Sequence, residues 1–278
     1  MLARNLLIKG FIVGLLAITL TACGTYQPPN AGGTDSLEQL CALSGSPTNV
    51  CKNTTSSIRL QALQETAMCI GAQAGLAWRA KQINCILNQN SKSLDRIFDF
   101  NLMLLPHNVL PPVLDEGEQI LNLDDPQTIR IADRTYKIIS QARFVTTAPN
   151  WRDYLWLTYT CPEVPIGTLL PQNCDERKIW CCYATQGWQQ GVTQANQIYA
   201  ANLARIRRDF TGMVRYRVLL DQHMVSPPFV ARTDLGITGS CSDMRINDQV
   251  LRITALPCLQ TNSKRWRAIV DAPCCGAP

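Results

Sequence analysis

The feature that most narrows the possible folds is the run from Ser56 or Ser57 to about Asn90. In it Leu63, Ala67, Ile70, Ala74 and Ala77 recur at alternating four- and three-residue steps. That spacing lines them along one face of a helix, and either serine can cap its start. On or beside the same face lie Ala67, Gly71, Ala74 and Gly75, small enough to let another backbone come close. Gly71 and Gly75 have the G-x-x-x-G spacing of membrane helix dimers. Gln73, Arg79 and Lys81 make the segment too polar for lipid, so the expectation is tight helix packing inside a folded domain.

The amino terminus sets the compartment in which that packing occurs. Arg4 and Lys9 form a short positive region, Gly10 to Leu20 is apolar, and Leu20-Thr21-Ala22-Cys23 closes the run. This is the layout of a secretory signal. Thirteen helical residues from Gly10 to Ala22 would reach only about 20 Å, short of the roughly 30 Å of a bilayer core. The closing four residues resemble the lipobox of bacterial lipoproteins, which implies cleavage before Cys23, acylation of its thiol, and palmitate-type anchoring. Gly24 stands where an aspartate would retain a lipoprotein at the inner membrane, so the expected address is the periplasmic face of the outer membrane. The reading divides the chain into a signal peptide (1–22), a lipidated and mostly flexible tether (23–55) and a periplasmic α+β domain (56–278).

Losing the signal leaves 24 of the 26 Lys and Arg against 21 Asp and Glu, a balance of +3. That is too small and too dispersed for direct nucleic-acid binding, and the densest basic cluster, Arg205, Arg207 and Arg208, suits a solvated helix face. Of thirteen cysteines, setting aside Cys23 leaves twelve, an even number in an oxidising compartment. Disulfides follow, with Cys41 to Cys51 and Cys161 to Cys174 the nearest local pairings. Cys69 and Cys85 lie about 24 Å apart along one helix, and adjacent Cys181 and Cys182 diverge by about 100°; each points to a partner elsewhere. No C-x-x-C occurs, and His107 and His223 are the only histidines. Neither a metal site nor a thioredoxin-like role is expected.

Tyr26 to Gly33 breaks regular structure, and Asp35 to Leu43 can form one helical turn within the tether. Beyond the long helix, Asp95 to Leu105 reads as a second helix stopped by Pro106, and Leu110-Pro111-Pro112-Val113 as a stiff connector. Gln127 to Ile131 and Thr135 to Ile139 alternate as strands around Asp133-Arg134, with Arg143 to Thr147 as a third. Trp151, Tyr154 and Trp156 supply core-filling aromatics. Cys161 to Cys174 is a proline-rich loop, followed by one helix from Asp175 to about Gly187 and another from about Val192 to Met224. Phe229 to Thr238 and a hairpin about Asn247-Asp248 come next, then a turn at Ser263 to Val270. The sum is an α+β fold, long helices with antiparallel hairpins in a single disulfide-reinforced domain.

No nucleophile motif, P-loop or dinucleotide fingerprint is present. Asp115-Glu116-Glu118 and Asp124-Asp125 are candidates for the paired carboxylates of a cell-wall glycosidase. Their turn-like surroundings equally suit local backbone bonding. A ligand-binding accessory lipoprotein is a further alternative. The main expectation is a non-enzymatic chain, with no catalytic, cofactor or metal residues.

Gly71-Ala72-Gln73-Ala74-Gly75-Leu76-Ala77-Trp78-Arg79-Ala80 and Leu110-Pro111-Pro112-Val113 resemble the DotC family of type IVB (Dot/Icm) secretion lipoproteins and their plasmid-transfer TraI counterparts. So do Ile129 to Lys137, Met224-Val225-Ser226-Pro227-Pro228, Thr233 to Gly239, and Val250 to Pro257, in the same order along the chain. The resemblance spans about Ala62 to Trp266. It implies a structural subunit of an outer-membrane core complex, present in several copies in a ring-like assembly. With a DotD-like lipoprotein, such a subunit places and holds a DotH-like, secretin-like protein. The twelve cysteines and the tail after Trp266 depart from the family's pattern.

Overall fold

The computed structural model describes residues 34–45 and 56–267. The expected signal peptide, Cys23, Cys51 and the Cys274-Cys275 tail therefore lie outside the described residues. Among the described residues are five α-helices: α1 (Leu37–Ala42), α2 (Ser57–Gln89), α3 (Ser91–Ile97), α4 (Trp151–Leu155) and α5 (Cys174–Asp221). Six strands accompany them: β1 (Val109–Leu110), β2 (Val113–Asp125), β3 (Thr128–Ser140), β4 (Arg143–Phe144), β5 (Phe229–Ser240) and β6 (Asp243–Ala255). All pairings are antiparallel and two-stranded, in the order β1-β4, β2-β3 and β5-β6. The fold is α+β, as expected from the sequence.

Contacts gather into two compact units. Among the described residues, unit 1 comprises 34–45, 56–89 and 159–193, and unit 2 comprises 90–158 and 194–267.

Unit 1 is built on the crossing of α2 with the first half of α5, and glycine sets the spacing on both helices. A Cβ on Gly71 would collide with the Ala184 carbonyl, and one on Gly75 with the backbone of Trp188. In return Gly187 lies against the Met68 carbonyl and Gly191 against that of Ala72. Gly187 was expected to end a helix. Instead α5 runs unbroken from Cys174, because Gly187 and Gly191 accept the α2 backbone from within a helix and do not interrupt it. Leu63, Ala67, Ile70, Ala74, Trp180, Ala184 and Trp188 form the core there, with Trp78 and Trp188 ring centroids 5.4 Å apart.

Unit 2 is organised by the second half of α5. Phe210 meets Phe98 and Phe100 edge-on, at 5.6 and 5.3 Å, while Phe100 stacks on Tyr154. Trp151 is fully buried, and its indole N–H donates to Asp95 Oδ1 at 2.6 Å. An Asn150–Asp153 capping box starts α4 in front of it. Asp95 to Leu105 is not one helix: α3 ends at Ile97 and a separate 3-10 turn covers Asn101–Met103. Arg217 Nη2 donates to the carbonyls of Leu102, Met103 and Leu104, and so holds that turn in place.

Two sheet expectations change. The acidic stretch after Pro112 is strand, so the first hairpin turns at Pro126-Gln127 rather than pairing 127–131 with 135–139 about Asp133-Arg134. Arg143-Phe144 pairs with Val109-Leu110 rather than extending that hairpin. The last hairpin turns at Cys241-Ser242, and Asn247 lies within β6 at φ 58° beside a register shift. Its left-handed backbone has the local signature of a turn and the role of a bulge.

Candidate functional site: an anchored strap and two exposed arms

Residues 34–45 fall in the stretch expected to be a mostly flexible tether with one helical turn at Asp35 to Leu43; the turn is present as α1, and the segment is built into unit 1 at five successive points. Thr34, 1% exposed, donates through Oγ1 to the Pro162 carbonyl at 2.7 Å. Asp35 Oδ1 accepts from Lys81 Nζ at 3.0 Å and from Cys161 Sγ at 2.8 Å. Leu40 is fully buried, and its carbonyl accepts from Trp180 Nε1 at 2.8 Å. Cys41 is disulfide-bonded to Cys181, and the Gly45 N–H donates to the Pro171 carbonyl at 3.0 Å. This strap is the first described segment of the chain.

The cysteines correct two expectations. Cys41 pairs with Cys181, whose α-carbon is 4.6 Å away, and not with Cys51. The short helix α1 lays its Cys41 beside the first turns of α5, a contact no local spacing could reveal. Cys161 and Cys174 are both free thiols and not joined to each other. Cys161 is turned instead toward Lys81 and Asp35. Burial and its bond to Asp35 raise the Cys161 thiol, the bond from Cys161 and then Lys81 lower the Asp35 carboxyl, and the Asp35 bond raises Lys81. Cys182 is exposed, on a different face of α5 from Cys181.

Next to the strap, Arg59 grips Glu176, which is 2% exposed. Arg59 Nε and Nη2 reach its two carboxylate oxygens at 2.9 and 3.0 Å, and the Gln172 N–H adds a third bond at 2.9 Å. This fork neutralises a carboxylate buried in the first turn of a helix, where the helix dipole also favours negative charge.

In unit 2 the hairpins β2-β3 and β5-β6 form two arms, each of strands 12 or 13 residues long. At about 3.3 Å per residue each extends roughly 40 Å. The base of the first is held by α5. Leu114 is fully buried with Tyr216, Leu219 and Val225, and Gly212 leaves room for the backbone of Leu114. Arg215 donates to the Leu114 carbonyl and to Glu116, each at 2.9 Å. Glu116 also accepts from the Tyr136 hydroxyl at 3.0 Å. The tip is a different matter. Leu121 lies opposite Ile131 and Leu123 opposite Ile129, so four aliphatic side chains share one face. They are 60–69% exposed.

The second arm repeats the design. Ile237 lies opposite Ile246 and Gly239 opposite Met244, and the three large side chains are exposed to a similar degree. The Val225–Leu259 bridge and the Ser226 and Cys258 backbone bonds close its base.

The acidic candidates fall on the first arm. Glu116 serves the Arg215 clamp, Asp115 and Glu118 lie on the exposed strand, and Asp125 accepts from the Gln127 N–H to shape the turn. Among the described residues no group of three or more His, Cys, Asp or Glu could hold a metal ion. Nor is any helix among them long and apolar enough to cross a membrane.

The described residues thus carry two long two-stranded hairpins whose tips expose aliphatic side chains. A family model described as type IV secretory system, conjugal DNA-protein transfer matches residues 57–268. The chain belongs to this TraI/DotC-like family of type IV secretion and conjugation proteins. No curated protein matches it. The matched region covers both arms and all of α5. The apolar arm tips had been missed in the sequence. Leu121, Leu123, Ile129 and Ile131 alternate as in any half-buried strand, and nothing local says that the second face stays open.

Proposed function

We propose that this chain is a lipid-anchored, non-enzymatic scaffold subunit of the outer-membrane core complex of a type IVB secretion or conjugation system. Cys23 holds it to the periplasmic face of the outer membrane, and the strap at Thr34–Gly45 passes that attachment into unit 1. The arms of unit 2 engage neighbouring subunits, a DotD-like lipoprotein and a DotH-like secretin-like protein, in a ring of several copies. The single observation that carries the reading is the pair of arms. A two-stranded hairpin is marginal by itself in water, and a contiguous exposed aliphatic face marks an interaction site. Family membership supports the same reading. In this account Glu116 is a structural clamp rather than a general acid.

The anchoring part is tested by fractionating cells that make Cys23→Ser in place of the wild type. The substituted protein is expected to leave the outer-membrane fraction and to depress transfer. Normal fractionation with normal transfer would refute the lipid anchor.

A further inference from the structure

The cluster of Cys161, Lys81 and Asp35 holds the strap and also carries reactive groups that this structural role does not require. Its geometry is unusual for a surface ion pair. Lys81 Nζ lies 3.3 Å from Cys161 Sγ and 3.0 Å from Asp35 Oδ1, and Cys161 Sγ lies 2.8 Å from the same carboxylate oxygen. A thiol and an amine thus meet on one acceptor, with three sequence-distant segments supplying the groups: the strap, helix α2 and the stretch after Tyr159. Thr34 bonds the residue next to Cys161, which fixes the strap against that stretch beside the contact. The ordinary fate of a cysteine in an oxidising compartment is disulfide exchange, which proceeds through the thiolate. Burial and the Asp35 acceptor, 2.8 Å away, keep this group a thiol, and beside that acceptor lies the Lys81 amine, 3.3 Å from the sulfur.

We propose that Cys161 and Lys81 form a covalent sulfur–oxygen–nitrogen bridge, with dioxygen as oxidant. The ammonium first gives up one proton to solvent. The S–H bond and one N–H bond then break, and S–O and O–N bonds form with one oxygen atom. The other oxygen atom leaves as water with the two hydrogens. Dioxygen takes four electrons, two from sulfur and two from nitrogen. Asp35 orients both reacting groups and accepts the thiol hydrogen bond. The bridge staples the stretch after Tyr159 to α2, directly beneath the strap, and adds a reducible lock next to the Cys41–Cys181 disulfide. The inference is independent of the anchoring role.

The test is peptide mass spectrometry of the full chain after exposure to air-saturated buffer, with and without dithiothreitol. The expected product joins the Cys161 and Lys81 peptides with a gain of about 14 Da, one oxygen added and two hydrogens lost, and disappears on reduction. Lys81→Arg keeps the charge beside Asp35 but cannot form the bridge. It is expected to abolish the joined species while the melting temperature of the reduced protein stays unchanged. Recovery of Cys161 only as thiol, sulfinic or sulfonic acid, or a disulfide, with Lys81 unmodified, would overturn the proposal. So would a joined species lighter by two hydrogens, which is a direct sulfur–nitrogen bond.

Discussion

Cys41 and Cys181 are 140 residues apart in sequence and joined by a disulfide, so the Thr34–Gly45 strap is covalently tied to the first turns of α5. The non-covalent contacts around it, at Thr34, Asp35, Leu40 and Gly45, join the same strap to α2, α5 and the loop that precedes α5.

Removing this cross-link should therefore weaken the fold. Cys41→Ser or Cys181→Ser is expected to lower unfolding stability by about 2–5 kcal/mol, the range for native disulfides that close long loops. Urea unfolding of each variant checks this. Compared in reductant, wild type and variant should converge, because the disulfide is then absent from both and a Cys161–Lys81 bridge is reduced in both.

The helix crossing makes a sharper demand. Gly191→Ala places a methyl group against the Ala72 carbonyl, and backbone cannot step aside as a side-chain tip can. A loss of about 1–3 kcal/mol is expected from overpacking. Gly167→Ala meets open space and serves as the control, with thermal melting near the wild-type value.

This crossing also shows what the sequence can and cannot disclose. The α2 face was legible from periodicity, and Gly71 and Gly75 correctly marked a close backbone approach. Of the matching Gly187 and Gly191, Gly187 was read as a helix end, since glycine weakens a helix when nothing packs against it. Only tertiary contact distinguishes the two roles. The same holds for Cys41, whose partner is set by the docking of a six-residue helix, and for Asn247, whose positive φ belongs to a bulge. At the candidate site, the carboxylates on β2 were visible as a cluster. That Glu116 belongs to Arg215 was not, since 99 residues separate them.

The Asp35 cluster gives a pH dependence of defined sign. The folded-state pKa of Asp35 is depressed below 3.8, chiefly by the bond from Cys161 and then by Lys81. Its contribution is present above that value and lost as the pH falls through the lower, folded-state pKa. The folded-state pKa of Lys81 is raised above 10.5, so its contribution is complete below that value and fades as the pH rises further. The wild type should lose stability more steeply than Asp35→Asn below about pH 4. Melting temperatures of both proteins across the acid range check this. Because the pair is largely exposed, the difference should be small, below about 1 kcal/mol.

Glu176 presents the opposite case, a carboxylate that water does not reach. Glu176→Ala leaves the Arg59 guanidinium without its principal partner and the Gln172 N–H without an acceptor. A loss of about 3–5 kcal/mol is expected from breaking a buried pair on one side. Arg59→Lys should cost less, since a charge remains, though the two-pronged geometry is lost. Denaturant midpoints of the two variants give the comparison.

The central claim is that the arm tips are where this subunit meets its neighbours, and the most direct test separates assembly from folding. Leu121 and Ile131 face each other on the first arm at 67% and 69% exposure. Replacing both with aspartate should change stability by no more than about 1 kcal/mol, because neither residue supports the core and the new charges repel only weakly in water. The measurement is gentle detergent extraction of cells that carry the whole transfer system, affinity capture through a carboxy-terminal tag, and mass spectrometry of the recovered proteins. The account predicts that wild type brings down DotD-like and DotH-like proteins, and that the Leu121→Asp, Ile131→Asp protein melts normally yet loses them. Undiminished recovery with the double variant, or a wild type that emerges alone, would contradict it.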